Sequence, residues 1–140
     1  KEETMYGYAS PGETKKRTLY TGDKAGIRIV YPYPTAPRTS VATDKSAYTR
    51  GETIYYGLVV TNPTGTTYSN SRLVISLVFP DSSKKTVFDS GTFTLRPKLG
   101  GAKFWIQTIP SGTPPGSYQF EDTLKYGSDT YTYTLSFKIT

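Results

Sequence analysis

Apolar and polar residues alternate one by one along most of the chain after residue 40. The alternation is clearest in four runs, which we predict to be long β-strands: 52–62, 72–79, 117–126 and 129–139. Shorter runs predict weaker strands at 40–43, 85–89, 92–95 and 102–109. No window keeps apolar residues at the three-and-four spacing of a helix without an interrupting Gly, Pro or β-branched run. The pattern therefore predicts an all-β chain.

Turn-forming residues separate the predicted strands. Gly, Pro, Asn, Asp and Ser cluster at 62–65, 80–83, 99–101 and 127–129. The last connection is short enough to make a hairpin of the two final strands. Seven or eight strands at about ten-residue spacing, each with one apolar and one polar face, are typical of two packed antiparallel sheets. We predict an immunoglobulin-like antiparallel β-sandwich with an extended N-terminal segment. The alternation does not decide whether Trp105 is exposed or covers the end of a sheet.

The first 38 residues differ in kind from the rest. They contain four prolines and four glycines, with only two short β-prone pieces, at 17–20 and 27–31. The stretch 31–34, Tyr-Pro-Tyr-Pro, is typical of an extended polyproline-like linker. We predict that residues 1–25 form an extended segment, and that 26–140 form the sandwich domain with 26–31 as its first strand.

The amino-acid composition excludes most kinds of catalytic and metal-binding chemistry. The chain has no cysteine and no histidine, so it lacks the commonest general base, the commonest metal ligand and any thiol nucleophile. We predict no enzyme activity, no metal and no cofactor. The net charge of +6 is scattered, with one cluster at 15–17, and no apolar stretch approaches the length of a membrane span. We therefore predict neither nucleic-acid binding nor membrane insertion. Only four side-chain amides and one methionine occur, a composition typical of proteins from hot surroundings.

Two polar residues could have supported chemistry inside the sandwich. Asp122 falls on the apolar face of its strand, while its neighbour Glu121 points to the opposite face, so the two cannot share a substrate. A buried Asp122 needs a lysine, an arginine or a hydroxyl as partner, and we favour a buried ion pair or a sheet-edge position over a catalytic acid. Asn62 is the one strand-end candidate for a Lys–Asn isopeptide bond, and we predict no such bond because the final strand lacks asparagine.

Two short sequence motifs, each called a phrase below, resemble parts of known domains. The phrase Thr43-Asp44-Lys45, with Tyr48 and Gly51-Glu52, precedes an alternating strand and resembles the opening of macroglobulin-type immunoglobulin-like domains. The phrase 115–118, Pro-Gly-Ser-Tyr, resembles the start of the penultimate strand in those domains and in the intracellular proteinase inhibitor family. The resemblance spans about 43–139 and implies a β-sandwich. It implies no single function, because such sandwiches serve as inhibitors, adhesins and filaments alike.

Four residues of these phrases have a structural explanation that is independent of any family. Gly51 and Gly116 precede strands at points where positive φ favours glycine. Glu52 can accept backbone amides at the start of its strand. Tyr118 can reach a loop carbonyl with its hydroxyl, as in a tyrosine corner. We predict that these residues are structural and bind no ligand.

The N-terminal segment is the part of the chain that the sandwich does not need. Exposed sheet edges invite pairing with another chain, and a strand donated from each subunit to the next builds an open filament. The candidate donor residues, within 3–20, are Met5, Tyr6, Tyr8, Thr18, Leu19 and Tyr20. We predict an extracellular, self-assembling subunit, an arrangement that resembles archaeal threads and TasA-like surface fibres. Two alternatives stay open: a monomeric proteinase inhibitor or ligand-binding module, and a viral capsid or fibre protein.

Overall fold

The structure, a computed structural model, describes residues 34–140. These residues form eight strands: β1 (Arg38–Thr43), β2 (Ala47–Tyr48), β3 (Thr53–Asn62), β4 (Tyr68–Val78), β5 (Lys84–Leu95), β6 (Leu99–Thr108), β7 (Gly116–Tyr126) and β8 (Asp129–Ile139). The predicted all-β sandwich is confirmed. In this part of the chain no helix is long and apolar enough to cross a membrane. The predicted domain boundary at residue 25 and the predicted strand 26–31 lie outside the described residues.

Two sheets make up the sandwich. The first has three strands in the order β1-β3-β6, and the second has five in the order β2-β8-β7-β4-β5. All neighbouring strands are antiparallel except β2, which runs parallel to β8. The chain follows the edge of the first sheet in β1 and then crosses to the edge of the second in β2. This crossing closes one side of the sandwich.

The core follows from the alternation of each strand. Inward side chains of both sheets form one apolar cluster, which includes Ile54, Leu58, Ile75, Phe120, Leu124 and Phe137. Tyr56 lies between two aromatic rings, 5.2 Å from the ring of Trp105 and 5.0 Å from that of Phe120. Trp105 is half-buried, so it covers the core from β6 and is not a fully exposed side chain.

Three strand boundaries differ from the predicted ones. The predicted strands 85–89 and 92–95 are one strand, β5, because a bulge keeps the chain in the sheet where Gly91 has φ 64°. The Gly-Gly at 100–101 belongs to β6 and is paired with β3, although it was predicted as a turn. β4 begins at Tyr68, four residues earlier than the alternation indicates. In each case pairing with a neighbouring strand outweighs the local preference of turn-forming residues.

Candidate functional site

Among the described strands, none covers the side of the sandwich opposite the β1–β2 crossing. Within residues 34–140, β5 and β6 are each hydrogen-bonded to one neighbour only, and they are not paired with each other. A short connection at 96–98 joins them at one end. Each therefore presents one row of backbone amides and carbonyls that no described strand pairs. We call this side the open side.

An apolar cleft enters the core on the open side. It has a volume of about 230 Å³ and lies between the start of β5 and the end of β6. Both sheets line it, with side chains that include Ile54, Leu77, Phe79, Lys85, Val87 and Ile109. Its polar lining residues are Lys85, Gln107, Thr108 and Thr113; the others are apolar or aromatic, and several belong to the central core. The apolar part of this cleft offers a place for apolar side chains of an added strand.

Exposed apolar side chains flank the open side on the outer face of the three-stranded sheet. Phe104 is 76% exposed and Ile106 is 71% exposed. Beside them on β3 lie Tyr55 and Val59, and we call these four side chains the outer patch. The ring of Phe104 lies against Gly57, where a Cβ atom would stand 2.5 Å from Cδ1 of the ring. Glycine at position 57 is therefore what allows this ring to lie flat on the sheet.

The predicted structural residues Gly51 and Glu52 lie in the turn before β3. Gly51 has φ 87°, and its amide donates to the carbonyl oxygen of Ile109 over 2.8 Å. The carboxylate of Glu52 accepts a hydrogen bond of 2.8 Å from the amide of Thr49 and pairs with the ammonium of Lys45. The bond from Lys45, followed by the Thr49 amide, lowers the pKa of Glu52. These contacts hold the turn, in line with the structural role predicted for both residues.

The rest of this phrase forms a second hydrogen-bonded unit. Asp44 Oδ1 accepts from the hydroxyl of Tyr48 over 2.7 Å and from the amide of Tyr55 over 3.0 Å. The hydroxyl bond is the main reason that the pKa of Asp44 is lowered. Tyr48 is buried, and its hydroxyl also accepts from the amide of Lys45. The acidic and aromatic residues of the phrase thus fix the crossing between the two sheets.

Gly116 and Tyr118 lie at the start of β7. Gly116 has φ 150°, and a Cβ atom there would stand 2.6 Å from Cγ of Pro80. The Tyr118 hydroxyl donates to the carbonyl oxygen of Pro114 over 2.7 Å, while its ring packs against Phe137. Tyr118 therefore anchors the loop before β7 to the core, and glycine at position 116 allows β7 to begin close to Pro80.

The six candidate donor residues all lie outside the described residues: Met5, Tyr6, Tyr8, Thr18, Leu19 and Tyr20. Their assignment stays a prediction. The outer patch was not predicted as a feature of the sequence. The alternation does place Phe104 and Ile106 on the face opposite Trp105, but pattern alone does not say which of these faces has a second sheet over it.

Among residues 34–140, Asp122 has the one fully buried side-chain polar atom that lacks a hydrogen-bond partner. It is fully buried on β7, and its Oδ2 lies 2.5 Å from the hydroxyl oxygen of Thr39 on β1. Oδ1 has no hydrogen-bond partner among the described residues. The favoured ion pair or edge position is therefore wrong in this part of the chain: β7 is a central strand and the partner is a hydroxyl. Below about pH 6 a hydroxyl suffices, because the carboxyl is then protonated and needs no counter-charge.

The geometry around Thr39 suits the protonated form of Asp122. The Thr39 oxygen also lies 3.2 Å from the carbonyl oxygen of Val59. A hydroxyl has a single proton, so it can donate to Val59 only if Asp122 supplies the proton of the other bond. Burial raises the pKa of Asp122 to about 6, against a smaller opposing effect of the Thr39 hydrogen bond. Asp122 is thus a buried acid that ties the two sheets together.

Asn62 is a loop organiser. It is buried, and its Nδ2 donates to the carbonyl oxygens of Thr66 over 2.8 Å and Arg96 over 3.1 Å. Its Oδ1 accepts from the amide and the hydroxyl of Thr64. The amide group is fully used in linking two loops, which leaves it unsuited to an isopeptide bond. Among residues 34–140 no cluster of acidic side chains could hold a metal ion.

Comparison with known proteins supports the fold. The sequence matches no protein-family model and no curated protein. Spo0M, a sporulation control protein from Bacillus subtilis, is similar with a TM-score of 0.52 and 16% identity, over 76% of this chain and 50% of Spo0M. The CARDB domain of PF1109 from Pyrococcus furiosus, solved with di-metal ions, is similar with a TM-score of 0.55 and 13% identity, over 76% of this chain and 90% of that domain. AvmM, which catalyses macrocyclization in alchivemycin A biosynthesis, is similar with a TM-score of 0.54 and 11% identity, over 76% of this chain and 89% of AvmM.

These similarities show the fold alone. The neighbours differ in what they do, and this chain spans only half the length of Spo0M. They support the β-sandwich part of the resemblance drawn from the sequence. Its macroglobulin-type and filament-type parts stay predictions, as does the absence of enzyme activity.

Proposed function

We propose that this protein is an extracellular structural subunit that polymerises into a surface filament. Each subunit donates its N-terminal strand to the sandwich of the next. The observation that supports this proposal is the open side, where two strand edges that no strand within 34–140 pairs flank an apolar cleft into the core.

An apolar cleft beside an unpaired edge is suited to β-strand addition. The backbone edge offers hydrogen bonds to any added strand, and the cleft offers a place for its alternate side chains. Edges of this kind otherwise expose a protein to uncontrolled association. A subunit that pairs this edge with a strand of its neighbour uses the same tendency to associate for its own assembly.

The N-terminal segment has the length that donation requires. Thirty-three residues precede the described part, and an extended chain of that length spans roughly 110 Å at about 3.3 Å per residue. That reach exceeds the dimensions of one small sandwich. Donor and acceptor are different surfaces, so the contact runs head to tail and does not close on itself. Repetition of such a contact gives a filament.

The composition fits an exposed assembly. The chain has no cysteine, four side-chain amides and 13 tyrosines, so few groups are open to oxidation or deamidation in hot or harsh surroundings. Cell adhesion and a thermophilic origin belong to the same proposal.

Removal of the donor tests the proposal. The full chain should scatter light as large particles, while a chain lacking residues 1–20 should give the mass of one subunit. A full chain that stays at its monomer mass of 15.5 kDa at high concentration would contradict the proposal. Such a monomer, together with nanomolar inhibition of a protease, would favour the alternative of a proteinase inhibitor.

A further inference from the structure

The open side has two edges, and they are not equivalent. We infer that the donated strand of a second copy pairs with the outer edge of β6 and not with that of β5. This inference rests on the proposed function, and it names the acceptor strand and the part of the leader that binds it. The leader is defined here as residues 1–25.

The edge of β5 has the features that protect natural sheets from unwanted pairing. Its register with β4 shifts at three places, and Gly91 holds a left-handed conformation with φ 64°. Two consecutive lysines, Lys84 and Lys85, open the strand. Bulges and edge lysines both disfavour addition of a further strand. β5 is therefore a poor acceptor.

The edge of β6 lacks these features. Its ten residues pair with β3 without a single register shift, from Leu99 opposite Asn62 to Thr108 opposite Thr53. Lys103 is its one charged residue. Phe104 and Ile106 are largely exposed on it. A long, regular and apolar edge of this kind is the form that most favours strand addition.

The backbone groups that would bind the donor can be assigned. Ile109 donates to the carbonyl oxygen of Glu52 over 2.9 Å and accepts from the amide of Gly51 over 2.8 Å, so residue 109 points its backbone groups toward β3. In an antiparallel pair these groups alternate in direction. Because the register is unbroken, the even-numbered residues of β6 point theirs outward. The amides of Ala102, Phe104 and Ile106 are therefore the donors that face an added strand.

Charge indicates which part of the leader binds here. Residues 2–14 contain three carboxylates, at positions 2, 3 and 13, and no lysine or arginine. Residues 84–108, which form the open side, contain five basic residues and one acidic residue. Of these, Lys103 lies on β6, Lys84 pairs with Glu121, and the acidic residue, Asp89, pairs with Arg72. The first half of the leader is thus complementary in charge to the open side, whereas the basic cluster at 15–17 is not. Tyr6 and Tyr8 lie in this acidic half, and they would share one face if this half is added as an extended strand.

The decisive variant removes one outward amide. Ala102→Pro in the full chain deletes a donor on the free edge while leaving the bonds to β3, and proline is tolerated on edges whose amide faces solvent. We expect a roughly hundredfold rise in the concentration needed for half-assembly, measured by light scattering. Ala102→Thr is the matched control, since it changes the side chain but keeps the amide, and it should assemble as the wild type does.

Hydrogen exchange provides a second readout. In assembled wild type, the amides of Ala102, Phe104 and Ile106 should exchange slowly, and in monomeric Ala102→Pro the latter two should exchange fast. The amides of Lys103 and Trp105 face β3 and should stay slow in both, which shows that the variant is folded. If Ala102→Pro loses that protection, Phe104→Lys with Ile106→Lys replaces it, because edge lysines block addition without touching the backbone.

The identity of the occupant has its own test. Glu2→Lys with Glu3→Lys should raise the concentration for half-assembly about fivefold if the leader binds here. No change, with assembly stopping at dimers, would mean that β6 pairs with β6 of the second copy and would overturn the assignment to the leader. Normal assembly of folded Ala102→Pro would overturn the choice of β6 and leave the filament intact. A wild-type chain that stays monomeric would overturn the proposed filament. It would also overturn the inference that a second copy donates the strand.

Discussion

The buried carboxyl of Asp122 makes the stability of this protein depend on pH in an unusual direction. Burial raises its pKa from 3.8 to about 6, so the folded state binds a proton more tightly than the unfolded state does. The stabilisation is fully present below pH 3.8 and is lost as the pH rises through 6. Asp122→Asn keeps the shape of the side chain and removes the ionisation.

The size of the effect follows from the shift in pKa. A difference of roughly two units corresponds to about 3 kcal/mol over the whole range, of which about 2 kcal/mol falls between pH 4.5 and 7. A carboxyl whose pKa is lowered in the folded state changes the stability with pH in the opposite direction. The Arg72 guanidinium holds the pKa of Asp89 at about 2, so that ion pair stabilises the fold above pH 4 and weakens below it. Comparison of wild type with the variant cancels these shared contributions.

Urea unfolding measures the difference directly. The free energy of unfolding of both proteins should be determined from pH 4.5 to 7, at concentrations where neither scatters light as an assembly. We expect the value for Asp122→Asn minus that for wild type to rise by about 2 kcal/mol across this range. A difference that stays constant with pH would refute the assignment of Asp122 as a buried acid with a raised pKa.

Three further substitutions test the packing of the sandwich, each by urea or thermal unfolding. Asn62→Ala should lower the free energy of unfolding by about 2–3 kcal/mol, since it leaves buried carbonyl groups without a donor; a loss below about 0.5 kcal/mol would argue against its role in linking the loops. Gly57→Val should destabilise by about 0.5–1.5 kcal/mol, since it forces the exposed Phe104 ring out of its rotamer, and adding Phe104→Ala should recover most of that loss. Tyr118→Phe should cost about 1 kcal/mol, the value of one hydroxyl bond, whereas an unchanged midpoint would show that this bond contributes nothing to stability.

Much of the fold could be predicted from the sequence because both faces of most strands have contrasting chemistry. The alternation in β3, β7 and β8 places Ile54, Phe120 and Phe137 in the core, where the structure has them. The bulged strand β5 was harder to predict, since Gly91 and its polar neighbours are typical of a turn until β4 is available to pair with them.

The open side could not be predicted, for a physical reason. Alternation shows that Phe104 and Trp105 lie on opposite faces of β6, but which face a second sheet covers is a property of the whole assembly of strands. The partner of Asp122 was uncertain for the same reason. A hydroxyl on β1 and a carboxyl on β7, 83 residues apart in sequence, meet only once the two sheets have packed.

Electron microscopy of the purified full chain tests the central claim most directly. We expect unbranched filaments with a single subunit repeat, in which the sandwich of each subunit is completed along β6 by a strand from its neighbour. Uniform particles of the size of one subunit, seen at high protein concentration, would contradict this claim.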